Sequence, residues 1–86
     1  MQITYQPASG SPVVVSGIYD AQYVLAQGTE EAGVEVTAPA VFLRLASLPS
    51  DPEIDNPLLT IEGLAYRVAE RRAAGLGSIL LVLRRV

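Results

Sequence analysis

The sequence predicts an all-β fold, a small antiparallel β-barrel or sandwich, and three features carry that prediction. Apolar residues alternate with polar ones in Leu59-Thr60-Ile61-Glu62 and again around Tyr66 and Val68. Runs rich in β-branched residues, Val13 to Val15 and Ile79 to Leu83, are bounded by glycine and proline. Turn residues recur at short intervals, so that long helical periods have little room.

The elements follow in order. Ile3 and Tyr5 alternate weakly before Gln6, Pro7, Ala8, Ser9, Gly10, Ser11 and Pro12, which is turn chemistry. Residues 1–12 are therefore expected to be an N-terminal arm, with any strand in them short. Val13 to Val15 with Ile18 and Tyr19 predict a strand, and Gly17 inside it marks a bulge or a close approach of backbone. Tyr23 to Gln27 either continues that strand past Asp20 or forms a short one, and residues 28–33 read as an acidic, glycine-bounded loop.

Beyond it, Val34, Val36 and then Val41, Leu43 and Leu45 predict two more strands, the last three residues sharing one face. Residues 48–57 hold three prolines and three acids, a composition that does not supply ladder hydrogen bonds. A long mobile loop is expected there. Leu59 to Val68 reads as a hairpin turning at Gly63, although residues 64–74 also have helix-friendly composition. After a turn at Ala73 to Gly77, Ile79 to Val86 is a strand apolar on both faces, which must be central or covered by another subunit.

Composition limits what such a fold can do. The chain has 86 residues, half of them apolar and 17% charged, which suits one domain with one modest core. At the usual scale its stability is ~4 to 13 kcal/mol. Cysteine and histidine are absent, so disulfides, thiolate nucleophiles, imidazole bases and zinc sites built on those residues are excluded. No lysine or histidine stands ready to activate a serine, and a domain this small offers little groove for a carboxylate-pair glycosidase. A non-enzymatic, cofactor-free protein is expected. The first twelve residues lack the basic and apolar regions of a signal peptide, and no apolar run approaches a bilayer span. No membrane partner is expected.

Charge is segregated along the chain. Residues 1–66 hold eight acids against Arg44 alone, near −7, whereas residues 67–86 hold five arginines against Glu70, near +4. Every cation is arginine, the side chain best suited to bidentate, partly desolvated contacts. A chain with opposite poles can stack head to tail on copies of itself. The candidate interface residues are accordingly Glu30, Glu31, Asp51, Glu53 and Asp55 on the acidic side, and Arg67, Arg71, Arg72, Arg84 and Arg85 on the basic side. Reversal of Arg71 and Arg72 to Glu is expected to weaken assembly and to leave the melting temperature of the monomer nearly unchanged.

Two weaker patterns are set against plainer readings. Asp51, Glu53, Asp55 and Glu62 echo the spacing of a calcium loop, but Asn56 stands where the sharp turn needs glycine and neither flank is helical in pattern. A solvated acidic loop is the expectation. The arginines with Tyr66 would suit nucleic acid, yet the acidic balance and sparse aromatics favour contacts between subunits.

Several segments, taken in order, point to a family. They are Ile3-Thr4-Tyr5 with Pro7; Gly17-Ile18-Tyr19-Asp20; Pro39 leading into Val41 to Leu45; Leu59-Thr60-Ile61-Glu62-Gly63 with Tyr66-Arg67-Val68; and Gly77 before Leu80 to Arg85. This order resembles the phage head-tail joining family, the stopper or head-completion proteins of lambda-like tailed phages and prophages. Where that family often has Gly-Asp before the T-I-x-G strand, Asp55, Asn56 and Pro57 stand here, so the turn is a different one.

The resemblance implies a small β domain that joins a ring, six-fold favoured and twelve-fold possible, beneath the portal or adaptor of a DNA-filled head. It implies a docking surface for the tail-terminator or another tail protein, and genomic DNA in the lumen without sequence-specific binding. It implies an N-terminal arm and a long loop that are flexible when free and ordered on assembly. The expected location is the virion, after assembly from the host cytoplasm. Two other readings stay open at this point: a tail-terminator or related tail-completion ring, and a non-viral β-barrel adaptor that captures peptides in a groove lined by Tyr19, Tyr23 or Tyr66.

Overall fold

The computed structural model describes residues 1–26, 36–52 and 54–86. Among them the chain forms seven strands: β1 (Gln2–Gln6), β2 (Val13–Ser16), β3 (Ile18–Ala26), β4 (Val36–Arg44), β5 (Leu58–Ile61), β6 (Leu64–Ala73) and β7 (Ser78–Arg85). One short 3-10 turn, Leu45–Ser47, follows β4. The strands make a single antiparallel sheet in the order β2-β1-β5-β6-β7-β4-β3, curled into a half-barrel. The architecture is therefore a single half-barrel sheet with two edges and not two stacked sheets.

The two edge strands of that sheet are consecutive in the chain. β2 pairs with β1 and β3 pairs with β4, so residues 13–26 act as one long strand that leaves one side of the sheet and joins the other at Gly17. Chain continuity, more than pairing, holds the two edges together. Corners of this kind need a residue that lets backbones approach. A Cβ on Gly17 would lie 2.7 Å from Leu43 Cδ2, 2.8 Å from Ile3 Cδ1 and 2.9 Å from the carbonyl oxygen of Phe42. Gly17 and Met1 also exchange two backbone hydrogen bonds, of 3.0 and 3.1 Å.

The concave face holds the main core: Ile3, Tyr5, Val15, Val41, Leu43, Leu59, Ile61, Tyr66, Val68, Ile79, Leu81 and Leu83. These positions meet in register, Tyr5 beside Leu59 beside Tyr66 and Leu43 beside Ile79. β7 lies between β6 and β4 and is buried on both faces, as a central strand must be. Its outward residues Leu80 and Val82 are each 3% exposed. Arg72 on β6 reaches Tyr23 on β3, and these strands are separated by β7 and β4. Their side chains thus meet above Leu80 and Val82, where Tyr23 also stands edge-on to Phe42 at 6.5 Å.

Three expectations change. Residues 1–12 are not an arm throughout: residues 2–6 form β1, paired on both sides, with Ile3 and Tyr5 fully buried. Two inward apolar residues suffice because the partner strand β5 arrives from more than fifty positions away, which no local pattern displays. Residues 64–73 are entirely strand, so the helical alternative is excluded. Residues 48–52 and 54–57 are the irregular segment expected, but side-chain hydrogen bonds that composition did not announce, described below, attach them to the sheet. β3 continues to Ala26, whereas the loop expected at residues 28–33 lies outside the described residues.

Candidate interaction surfaces

The arginines of the basic segment separate by face because β6 carries a bulge. Val68 stands opposite Leu83 and Glu70 opposite Val82, with Ala69 as the extra residue. One extra residue inverts the alternation of everything after it. Tyr66 and Val68 point inward before the bulge; after it Arg71, opposite Leu81, points inward, and Glu70 and Arg72 point outward.

Arg71 is consequently a clamp at the end of the half-barrel. Its Nε donates to the carbonyl of Pro52, and one terminal nitrogen donates to the carbonyl of Asp55 at 3.0 Å. The same segment is fastened from the other side by Asp55. Its carboxylate accepts from the amides of Ala8, at 3.1 Å, and Asn56, at 2.8 Å, and from the Ser50 hydroxyl at 2.7 Å. Ser50 in turn meets the hydroxyl of Tyr5 at 3.0 Å, and Pro52 and Pro57 are fully buried. The Ser50 hydrogen bond, with those from Ala8 and Asn56 and the charge of Arg71, holds the Asp55 carboxyl below its ordinary range. Burial pushes the Tyr5 phenol up.

The remaining candidates are placed as follows. Arg72 pairs with Glu70 on the convex side, the two standing opposite Leu80 and Val82 of β7. Arg85 lies over the Tyr66 ring, 5.9 Å from its centre, in cation–π contact. Arg67 faces Arg84 directly across β6 and β7 on the convex side. Arg84 is exposed and makes no side-chain hydrogen bond or ion pair among the described residues, and Arg67 touches the carbonyl of Asn56 at 3.3 Å. The carbonyl of Asp51 caps a turn by accepting from the amides of Ile54 and Asp55. Glu30, Glu31 and Glu53 lie outside the described residues.

These contacts bear on two sequence expectations. Arg71 fastens the segment at Pro52 and Asp55 within the subunit and Arg72 pairs with Glu70, so joint reversal of the two is now expected to lower the melting temperature of the monomer as well. The three candidate groove tyrosines do not stand together. Tyr23 lies on the convex side with Phe42, while the hydroxyls of Tyr19 and Tyr66 meet at 3.2 Å beside the core, their rings 6.3 Å apart. The Asp55 hub was invisible in the sequence, because it joins residues more than forty positions apart.

The Tyr66 hydrogen bond and burial push the Tyr19 phenol up to about 12. A phenol that ionises near 10 in the unfolded chain then favours the folded state fully below about pH 10. That contribution is lost as pH rises through about 12. Thermal melts across this window should show a steep fall in wild-type stability and a shallower one in Tyr19→Phe. Parallel curves for the two proteins would count against the coupling.

The fold is a curled antiparallel sheet with a loop fastened to one end and Arg84 exposed on its convex face. The phage head-tail attachment protein family matches residues 1–84, and the chain belongs to that family. Among curated proteins no relative matches. Membership gives the protein a structural role at the junction of head and tail in a phage particle. No helix among the described residues is long and apolar enough to cross a membrane.

Proposed function

We propose that the chain is one subunit of a ring that completes the DNA-filled head and presents the surface on which the tail docks. Family membership supports the site of action. The observation that carries the contact itself is the pairing of Arg67 with Arg84 on the convex face. Like charges set directly opposite in an antiparallel ladder destabilise it, and against that Arg67 makes one long, exposed contact with the carbonyl of Asn56 while Arg84 makes no hydrogen bond or ion pair among the described residues. An acidic surface on a neighbouring molecule turns the same pair into a favourable, bidentate contact.

The ring is six-fold in this reading, closed by a heterologous contact whose basic side is Arg67 and Arg84. Its partners are the portal or adaptor on one side and the tail-terminator or another tail protein on the other. DNA crosses the lumen without sequence-specific binding, and no catalysis or cofactor is involved. A run of free cations that could track a phosphate backbone is not what this face offers, since Arg71, Arg72 and Arg85 are engaged within the subunit.

Electron microscopy of particles made without the protein tests the reading. Filled heads and separate, complete tails are the expected result, and normal virions would end it. Each arginine contact at a rim contributes about 0.2 to 1 kcal/mol, so single reversals are tolerated. Arg67→Glu with Arg84→Glu should abolish joining through repetition around the ring while the monomer melts as wild type.

A further inference from the structure

The sheet has one strand edge that is open and one that is not. Met1 and Gly17 exchange both backbone hydrogen bonds, which makes them a hydrogen-bonded pair of the ladder. Alternation makes Ile3 with Val15 and Tyr5 with Val13 such pairs as well. Val14 and Ser16 therefore aim their N–H and C=O groups away from β1, at the free edge of β2. That edge carries no charged residue and no bulge, the devices that usually blunt such edges. β3 is different: its pairing with β4 shifts register twice, and the Gln22 amide is folded back onto Asp20 at 3.0 Å.

Beside the open edge lies a groove of about 430 Å³. Ser16 and Ile18 line one side, and Phe42, Arg44, Ser47 and Ser78 the other. Ile18 is 71% exposed. The side chain of Arg44, the sole basic side chain of the first 66 residues, makes no hydrogen bond or ion pair among the described residues.

We propose that this groove receives an extended segment from another protein of the junction, added as a strand along β2, with a carboxylate facing Arg44. Backbone pairing at Val14 and Ser16 supplies the affinity of strand addition, and the apolar floor with Arg44 supplies the selection. The occupant is not β3 of another copy, whose edge is twice bulged. Nor is it β2 of another copy, because β2 has no carboxylate to set against Arg44 of the groove. This partner assignment rests on the junction role proposed above; the groove and open edge do not.

Heads and tails purified from particles lacking the protein are mixed with purified protein, and joined particles are counted. Failure of wild type to join them would overturn the junction role and leave the edge untouched. Given joining by wild type, Ser16→Pro should lower the yield about tenfold or more, a loss of one strong contact. It deletes a free-edge N–H that β1 does not use, and proline is tolerated at such positions. Ser16→Ala should join as wild type, because the backbone and not the hydroxyl makes the contact. Arg44→Glu should fall as far as Ser16→Pro.

Amide hydrogen exchange provides a readout independent of the proline variant's folding. The Val14 and Ser16 amides should exchange freely in the isolated protein and slow strongly in joined particles. Equal exchange in the two states, or full joining by a folded Ser16→Pro protein, overturns the inference. A photoreactive residue in place of Ser16 should capture a different protein of the particle. Capture of a second copy of this chain would overturn the assignment of the partner.

Discussion

Gly17→Ala should lower the stability of the subunit by about 2 kcal/mol, near the middle of the range for an overpacked core. For a domain of this size that is a fall of roughly 8 to 16 °C in melting temperature. The added methyl meets three atoms at once, Leu43 Cδ2, Ile3 Cδ1 and the Phe42 carbonyl oxygen, all closer than 3.0 Å. Leu43 and Ile3 are themselves buried core residues, and the carbonyl is backbone, so none of the three can swing aside cheaply. Alanine in place of glycine also makes the unfolded chain stiffer, which favours folding by about 0.4 to 1 kcal/mol. Steric strain has to exceed that gain for the prediction to hold. A double variant that also carries Leu43→Val should be less destabilised than the sum of its parts, since it removes one of the clashing methyls. An unchanged or raised melting temperature in Gly17→Ala would mean that the corner joining the sheet edges has slack.

That corner was within reach of the sequence, because glycine inside a β-branched run has few other uses. The Leu59–Val68 hairpin and the central position of β7 were legible for a similar reason. In each case the signal is local alternation, or its absence, over a few residues. β1 was not legible, since five residues with two inward side chains resemble an arm until β5 is beside them. The fate of the arginines was hidden more deeply. Counting alternately from Tyr66 and Val68 places Glu70 and Arg72 inward, and the single bulge at Ala69 places Arg71 there instead. Charge segregation in the sequence therefore did not separate arginines engaged within the subunit, Arg71, Arg72 and Arg85, from Arg84, whose side chain makes no hydrogen bond or ion pair among the described residues. The acidic, proline-rich stretch is irregular, as its composition predicts, but what fastens it was not legible for the same reason. Its hydrogen-bond partners, Tyr5, Ala8 and Arg71, lie far off along the chain.

Loss of Arg71 should be the most damaging change among the arginines. Arg71→Ala removes two charge-assisted hydrogen bonds and leaves the carbonyls of Pro52 and Asp55 without their donor, beside a fully buried Pro52. A hydrogen bond to a charged group contributes about 1.5 to 3 kcal/mol, and an unsatisfied carbonyl near the core adds to the loss. A destabilisation of about 2 to 4 kcal/mol follows on that scale. Arg71→Glu should be worse, because it sets a carboxylate against two carbonyl oxygens. Arg84→Glu, at a side chain with no hydrogen-bond or ion-pair partner among the described residues, should melt as wild type.

Acid titration separates the clamp from the hub it faces. The Asp55 carboxyl is held below its ordinary range in the folded protein. Its contribution is then complete above the unfolded value of about 3.9 and drains away as pH falls through the lower folded value. Asp55→Asn should flatten the acid limb of the stability curve and lower the plateau at neutral pH. Arg71→Ala should lower the curve at every pH while retaining most of the acid limb, since Ser50, Ala8 and Asn56 still hold the carboxylate. If Arg71→Ala instead melts like wild type at neutral pH, the segment after Ser50 is held by its buried prolines and the Asp55 hub alone, and the arginine is free to serve a neighbouring subunit.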